Sequence, residues 1–288
     1  EALTVTIGRA KTRSAEELLN DDKVLARLNE DPAREIFEIL NNDERQVVCA
    51  LAIFGRSVAP GGVQYLLPNL LEHDLLDQLI AVHVVSFDQE TKRCVLHPLD
   101  QVHAYAQVPE GDEGFARRAL HREAAAYWHA GRKAQAEWKT LDDIEEVLRQ
   151  FEQLVQAAAF DHASEVLSEV CRNYLHLWGH YKLTVDLRSP LTERLTNQRT
   201  KSGHLIELAN AHAALVDQRA AIAHHEQALA IAREVGNRWV EGVCLGNLGS
   251  AHAALGDQRA AIAHHEQALA IAREVGDREG EGRHLGNL

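Results

Sequence analysis

The segment AHAALVDQRAAIAHHEQALAIAREVG, beginning at Ala211, returns as AHAALGDQRAAIAHHEQALAIAREVG from Ala251. Residues 211–240 and 251–280 agree at 26 of 30 positions, which sets a period of 40 residues. EGVCLGNL from Glu241 recurs as EGRHLGNL from Glu281, so the sequence stops inside a third copy. A fixed period of this length marks a stacked repeat architecture. Each unit reads as two helices. The first ends near Leu255, a Gly256-Asp257 turn supplies a capping Asp, and the second runs to Gly276 as its stop. Small residues Gly249, Ala261 and Ala268 fall where the helices should cross, with Leu245, Leu248, Leu255, Ile262 and Leu269 expected around them. A lone hairpin cannot bury its own apolar face, so the copies must stack into a solenoid.

The rest of the 288-residue chain is consistent with a mostly helical protein. It has 45% hydrophobic and 25% charged residues, with only 18 Gly, 6 Pro and 15 aromatic residues, and abundant Ala, Leu, Glu, Gln and Arg. Its 43 acidic residues against 30 Lys and Arg give a net charge of −13, which repels phosphate backbones and anionic membrane surfaces. The longest apolar run, Val47 to Phe54, is far too short for a bilayer span. The chain begins at Glu1, contains no Met and shows no signal-peptide order, so an excised piece of a longer protein is expected. Cys49, Cys94, Cys171 and Cys244 are too widely spaced for a metal clip or a disulfide framework, and a reducing, cytoplasmic compartment is expected.

The repeat resembles the tetratricopeptide repeat, whose order along the hairpin is aromatic, Leu, Gly, Tyr, Ala, aromatic, Ala. Here those slots hold Leu245, Leu248, Gly249, His252, Ala261, His265 and Ala268. The period is longer than usual and lacks a terminal Pro, as in the repeats of kinesin light chain and Pins-type polarity proteins. That resemblance implies a right-handed solenoid with a concave wall of first helices, which binds a protein or extended peptide. It further implies that Asn247 and Asn287 face the groove and hold the peptide backbone, with Glu207 in the same slot of the first full copy.

Upstream, Asp43 to Phe54 has helical periodicity, a loop spans Gly55 to Gly62, and helices are expected near Val63 to Leu67 and from Leu70 to Ile80. Val82 to Phe87 reads as a strand, Asp88 to Arg93 as a polar turn and Cys94 to Leu96 as the partner strand. Three helices and a wing make a winged-helix domain over residues 43–108. Its familiar use is DNA binding, with or without a sensor array. The charges oppose that use: residues 43–108 hold Arg45, Arg56, Lys92 and Arg93 against eight carboxylates, with Glu72, Asp74 and Asp77 on the third helix.

The stretch LAIFGRSVAPGGVQYLL, followed by LLDQLIAVHVVSFDQETKRCVLHPLDQVHAYA, resembles the winged helix of STAND-type signalling NTPases, the class of apoptotic ATPases and NB-ARC resistance proteins. In that class a hydrophobic-His-Pro triplet follows the wing, and its His contacts the β-phosphate of bound ADP in the closed state. Leu96-His97-Pro98 matches it, which implies His97 as an ADP contact in the intact protein. His103 reads as structural. The resemblance further implies ADP or ATP with Mg and an adjoining upstream NTPase domain in that intact protein, and oligomerisation on activation. It assigns residues 1–42 to the end of the NTPase helical subdomain and residues 115–200 to a helical coupling region with degenerate repeats. Residues 201–288 are then the repeat array.

This piece is not expected to be an enzyme. No GxxxxGK[ST] loop occurs, and the carboxylate pairs Asp142-Asp143 and Glu145-Glu146 have no partnered nucleophile. The 17 His include the doublets His224-His225 and His264-His265, together with His212 and His252. Their 40-residue recurrence in aromatic slots argues for packing rather than for a converging metal site. Trp128, Trp138 and Trp178 also read as packing residues. The leading expectation is the sensor arm of a STAND ATPase; the others are a DNA-binding regulator and a passive scaffold.

Overall fold

A computed structural model describes residues 31–70 and 74–288, so most of the expected NTPase-subdomain segment, residues 1–30, lies outside the described residues. The described residues are mostly helical, with one small two-stranded sheet among them. The chain divides into two compact units, residues 1–132 with 152–158, and residues 133–151 with 159–288.

The first unit is organised around a helix whose last eight residues have no solvent face. Asn41 and Glu44 form a reciprocal capping box, with backbone donors at 3.0 and 2.9 Å, and so fix the start of α2 (Asn42–Phe54). The apolar run Val47 to Phe54 is buried at every position, and Gly55, at φ +68°, supplies the left-handed stop. Around α2 pack α1 (Pro32–Ile39), α3 (Pro60–Leu66), α4 (Asp74–Ala81), α5 (Pro98–Gln107) and α6 (Arg117–Ala130).

The hairpin pairs β1 (Ser86–Asp88) with β2 (Arg93–Val95), with Phe87 opposite Cys94. Asp88 accepts from the N–H groups of Glu90 and Thr91 and so closes the turn. Val58 exchanges both backbone hydrogen bonds with Cys94, at 2.9 and 2.7 Å, tying the segment before α3 to the sheet.

Three boundaries differ from the sequence reading. α3 starts at Pro60 rather than near Val63, because Pro at the first helical position needs no N–H partner and brings a helical φ. Leu70 lies in a turn rather than on the helix that α4 describes from Asp74. Val82 to Val85 is not strand. It is the unwinding end of α4, where the N–H groups of Val84 and Val85 return to the Leu79 carbonyl through His83 at φ +61°. An apolar run buried as a helix exit has the composition of a strand.

In the second unit, α7 (Glu145–Gln156, shared with the first), α8 (Phe160–Val170), a π turn at Cys171–Leu175 and α9 (Tyr181–Arg188) precede the repeats. The array comprises α10 (Gln198–Ala214) with α11 (Gln218–Glu234), α12 (Arg238–Ala254) with α13 (Gln258–Val275), and α14 (Arg278–Asn287). Asp217, Asn237, Asp257 and Asp277 cap four successive helices by accepting from the N–H three residues on. Arg233 pairs with Glu241 at 2.9 Å, and Arg273 repeats the bond to Glu281 at 2.7 Å one period later.

Close approach of the helices is set by glycine. A Cβ on Gly249 would lie 2.7 Å from the His265 ring, and one on Gly246 would lie 2.4 Å from the ring of His284. Ala261 and Ala268 are buried at the same seam, as expected. Leu255 and Ile262, expected to pack there, are exposed. Leu255 has already left the helix as its C-cap, and Ile262 turns outward on α13.

Two pairs of substitutions test these statements by thermal denaturation followed by circular dichroism. Gly249→Ala must displace the His265 ring, so the overpacking loss of about 1–3 kcal/mol exceeds the helix-propensity gain and the midpoint falls. Gly282→Ala meets nothing within 4 Å and is expected to raise it. Val216, a β-branched residue at φ +66°, stands where the second copy has Gly256 at φ +83°. Val216→Gly should therefore stabilise by about 1 kcal/mol, whereas Gly256→Val should destabilise.

Candidate functional site

The first helices carry the variation of the array and the second helices do not. Residues 218–236 and 258–276 are identical, QRAAIAHHEQALAIAREVG in both. The copies differ between 211–240 and 251–280 only at Val216/Gly256, Asn237/Asp277, Trp239/Glu279 and Val240/Gly280. Three of these four pairs sit at the opening of a first helix, and every residue of the three lines a concavity between neighbouring first helices.

Between α12 and α14 lies a cleft of about 360 Å³, lined by Trp239, Val243, Asn247, Ser250, Glu279, Arg283 and Asn287 among others. Between α10 and α12 a second, of about 610 Å³, is lined by Arg199, Gly203, Asn237, Val240 and, again, Trp239. The indole of Trp239, 57% exposed, thus stands between two adjoining clefts. The sequence reading did not single it out. The signal that would have found it is an aromatic residue at one of the few positions where near-identical copies diverge.

Asn247 and Asn287 both line the α12–α14 cleft. Asn247 is half-buried and donates from Nδ2 to the Asn210 Oδ1 at 3.4 Å. Asn287 is exposed at the end of α14.

Glu207, in the same slot of the first copy, is only 2% exposed and is covered from within the unit. Arg172 of the π turn binds its Oε1 at 2.9 Å, and the His176 Nδ1 lies 3.8 Å from Oε2. The difference between Asn247 and Glu207 is thus structural. At the first copy the preceding helical segment occupies the slot, and a carboxylate answers its guanidinium.

His97, in the first unit, opens α5. Its Nδ1 accepts from the Leu99 N–H at 3.4 Å as an N-cap, the ring is exposed, and the proton is left to Nε2. His103 stacks on Phe37, with ring centroids 5.4 Å apart. A concavity of about 570 Å³ in this unit has a self-satisfied polar wall. Gln153 donates to the carbonyls of Ile53 and Phe54, so its Oε1 accepts from the His121 Nδ1 at 2.7 Å, and the Tyr105 hydroxyl donates to Nε2. Trp128 and Trp138 are buried and Trp178 is half-buried.

The repeat histidines pack as rings. His212 lies on His224 with centroids 5.4 Å apart, and His252 lies on His264 at 5.3 Å, one period later. Among the described residues, no three His, Cys, Asp or Glu converge as a metal site, and no helix is long and apolar enough to cross a membrane.

Residues 203–274 match the family model described as tetratricopeptide repeat. A similar solved structure is that of a signal transduction ATPase with numerous domains (STAND) protein with a tetratricopeptide repeat sensor, from Pyrococcus horikoshii. It is 14% identical, with 99% of this chain and 55% of that one covered, at a TM-score of 0.34. This chain therefore spans about half the length of that protein. No curated protein matches the chain.

The buried imidazoles make the array sensitive to acid. Burial, aided by neighbouring His224, holds His225 down at about 4, and burial beside Arg188 holds His204 at about 3, against an ordinary 6.5. Both are neutral when folded, so the unfolded chain binds more protons. Stability is full above pH 6.5 and declines as pH falls from 6.5 toward 4. At pH 5 each site costs about 2 kcal/mol. The denaturation midpoint should fall clearly between pH 7.5 and pH 5, and His225→Phe should remove a substantial part of that fall. An unchanged wild-type midpoint would sink this account.

Proposed function

We propose that this chain is the regulatory and sensor part of a STAND-type signalling ATPase, binding a protein or extended peptide in the groove of its first helices. The observation that carries the binding reading is the contrast between the two helices of the repeat: residues 218–236 and 258–276 are identical, while the first helices diverge, among other positions at the cleft residues Trp239/Glu279 and Val243/Arg283. A passive spacer gives no reason for that asymmetry.

The side chains suit a peptide main chain. The Asn247 oxygen and the Asn287 amide supply acceptors and donors at successive first helices, and Trp239 offers a rigid apolar surface at low entropic cost. The regulatory reading is supported by the order of elements in the first unit: three helices, a two-stranded wing, then Leu96-His97-Pro98. Domain limits of 43–108 and 115–200 go with that reading. An exposed imidazole whose Nδ1 caps a helix carries an outward Nε2–H, the donor a diphosphate oxygen needs. In the intact protein, ADP would supply the charge that this donor meets. Partner binding in the groove would favour whichever state it fits better, and only that difference in affinity can shift the balance.

The binding reading is tested with a partner captured from the source cells. An Asn247→Ala, Asn287→Ala double variant should bind it at least tenfold more weakly, a loss of about 1.4 kcal/mol or more, with an unchanged circular dichroism spectrum. Glu266→Ala, on the exposed face of a second helix, should bind normally. Equal binding by the Asn variant would remove these residues from the site. For the regulatory reading, His97→Ser keeps a capping oxygen but loses the outward donor, and should speed ADP release from the intact protein.

A further inference from the structure

Arg199, Trp239 and Glu279 stand 40 residues apart, each the second residue of a first helix. All three are exposed, and they line the groove in order. Arg199 and Trp239 share the α10–α12 cleft, and Trp239 and Glu279 share the α12–α14 cleft. One repeat position thus presents a cation, an indole and a carboxylate along two adjoining clefts, the first of them also lined by Ala232, Val235 and Gly236 at the end of α11.

Both charges are available. Neither the Arg199 guanidinium nor the Glu279 carboxylate forms an ion pair among the described residues. Their neighbours are committed: Arg238 binds Glu241 and Glu274, and Arg273 binds Glu281. No carboxylate lines the Arg199 cleft, whose other cation is the neutralised Arg238. In the opposite cleft, Asp277 and Glu279 outnumber Arg283, with Asp277 also holding the Gly280 N–H at 2.9 Å. The potential therefore runs from positive to negative across Trp239.

The spacing suits an extended chain. α10 and α12 touch through Asn210 and Asn247, and α12 and α14 touch where the His284 ring rests on Gly246. Helices in such contact lie about 8–10 Å apart. That is roughly three residues of extended peptide at about 3.3 Å each.

Resting on the groove reading above, we propose that the groove selects an extended peptide with three side chains at three-residue intervals. These are an acidic one for Arg199, an apolar or aromatic one for Trp239 and a basic one for Glu279. Charge at the two ends sets register and direction, while the central anchor, shielded from water once covered, supplies most of the affinity.

Selection of a random displayed heptapeptide library on the full chain tests this. The wild type should enrich acid–x–x–apolar–x–x–base at least tenfold over scrambled order. Arg199→Glu should convert the first preference to basic and leave the last unchanged. Glu279→Arg should convert the last to acidic and leave the first unchanged. If both variants keep the wild-type consensus, and the Asn247→Ala, Asn287→Ala variant captures none of those peptides, this inference fails while the groove reading stands. If the Asn variant captures them as well, or no peptide is enriched by the wild type, both fail.

Discussion

The array depends on imidazole rings seated where a neighbouring side chain would otherwise be. His265 lies over Gly249, and His284 lies over Gly246, each so close that even a methyl group would collide. The contact brings the second helix onto the first within a repeat, and the next first helix onto the last. Stacking is then the only way to bury the remaining apolar edge, which runs through Leu205, Leu229, Leu245, Leu248 and Ile271. Using His where relatives of this repeat class carry an aromatic residue keeps the ring shape and adds a titratable group. Burial pushes the pKa of that group down, so the geometry that builds the solenoid also ties it to proton concentration.

The same seam explains which residues were free to diverge. A second helix must meet a first helix on each side, and its sequence is fixed by both contacts. A first helix has one face on the seam and another on the concave wall. Substitution of Trp239 for Glu279, or of Val243 for Arg283, changes the wall without touching Gly246, Gly249 or their rings. Specificity can therefore vary from copy to copy at no cost to stacking.

Much of this was legible in the sequence because the deciding signals were local or periodic. The caps at Asp217, Asp257 and Asp277 and the stops at Gly236 and Gly276 fall where the repeat reading puts helix ends, and Asn247 and Asn287 reach one cleft. What was not legible depended on partners far along the chain. Val82 to Val85 looks like strand because composition cannot separate a buried helix exit from a buried strand. Leu255 and Ile262 look like core because hydrophobicity does not say which way a hairpin tip faces. Trp239 was overlooked because an aromatic residue on a helix is ordinarily packed. Its exposure, its place between two clefts and its position where the copies diverge distinguish it from Trp128.

The first copy shows how the groove is bounded. There the wall position held elsewhere by Asn is Glu207, and its carboxylate lies under Arg172 and beside His176. Nearby, Arg188 is fully buried and reaches His204 at 3.2 Å and Ser168 at 3.1 Å, with no carboxylate bound to it among the described residues. A cation placed so deep needs hydrogen-bond acceptors and no second cation beside it, which Ser168 and a His204 held neutral, itself bonded to Ser164 and Thr192, provide. Protonating His204 would set two positive charges side by side at the junction between the preceding helices and the first repeat. The segment covering Glu207 is fastened by that junction. The covered slot of Glu207 and the acid-sensitive core beside it therefore form one connected arrangement, and the exposed cleft residues Arg199 and Trp239 lie outside it.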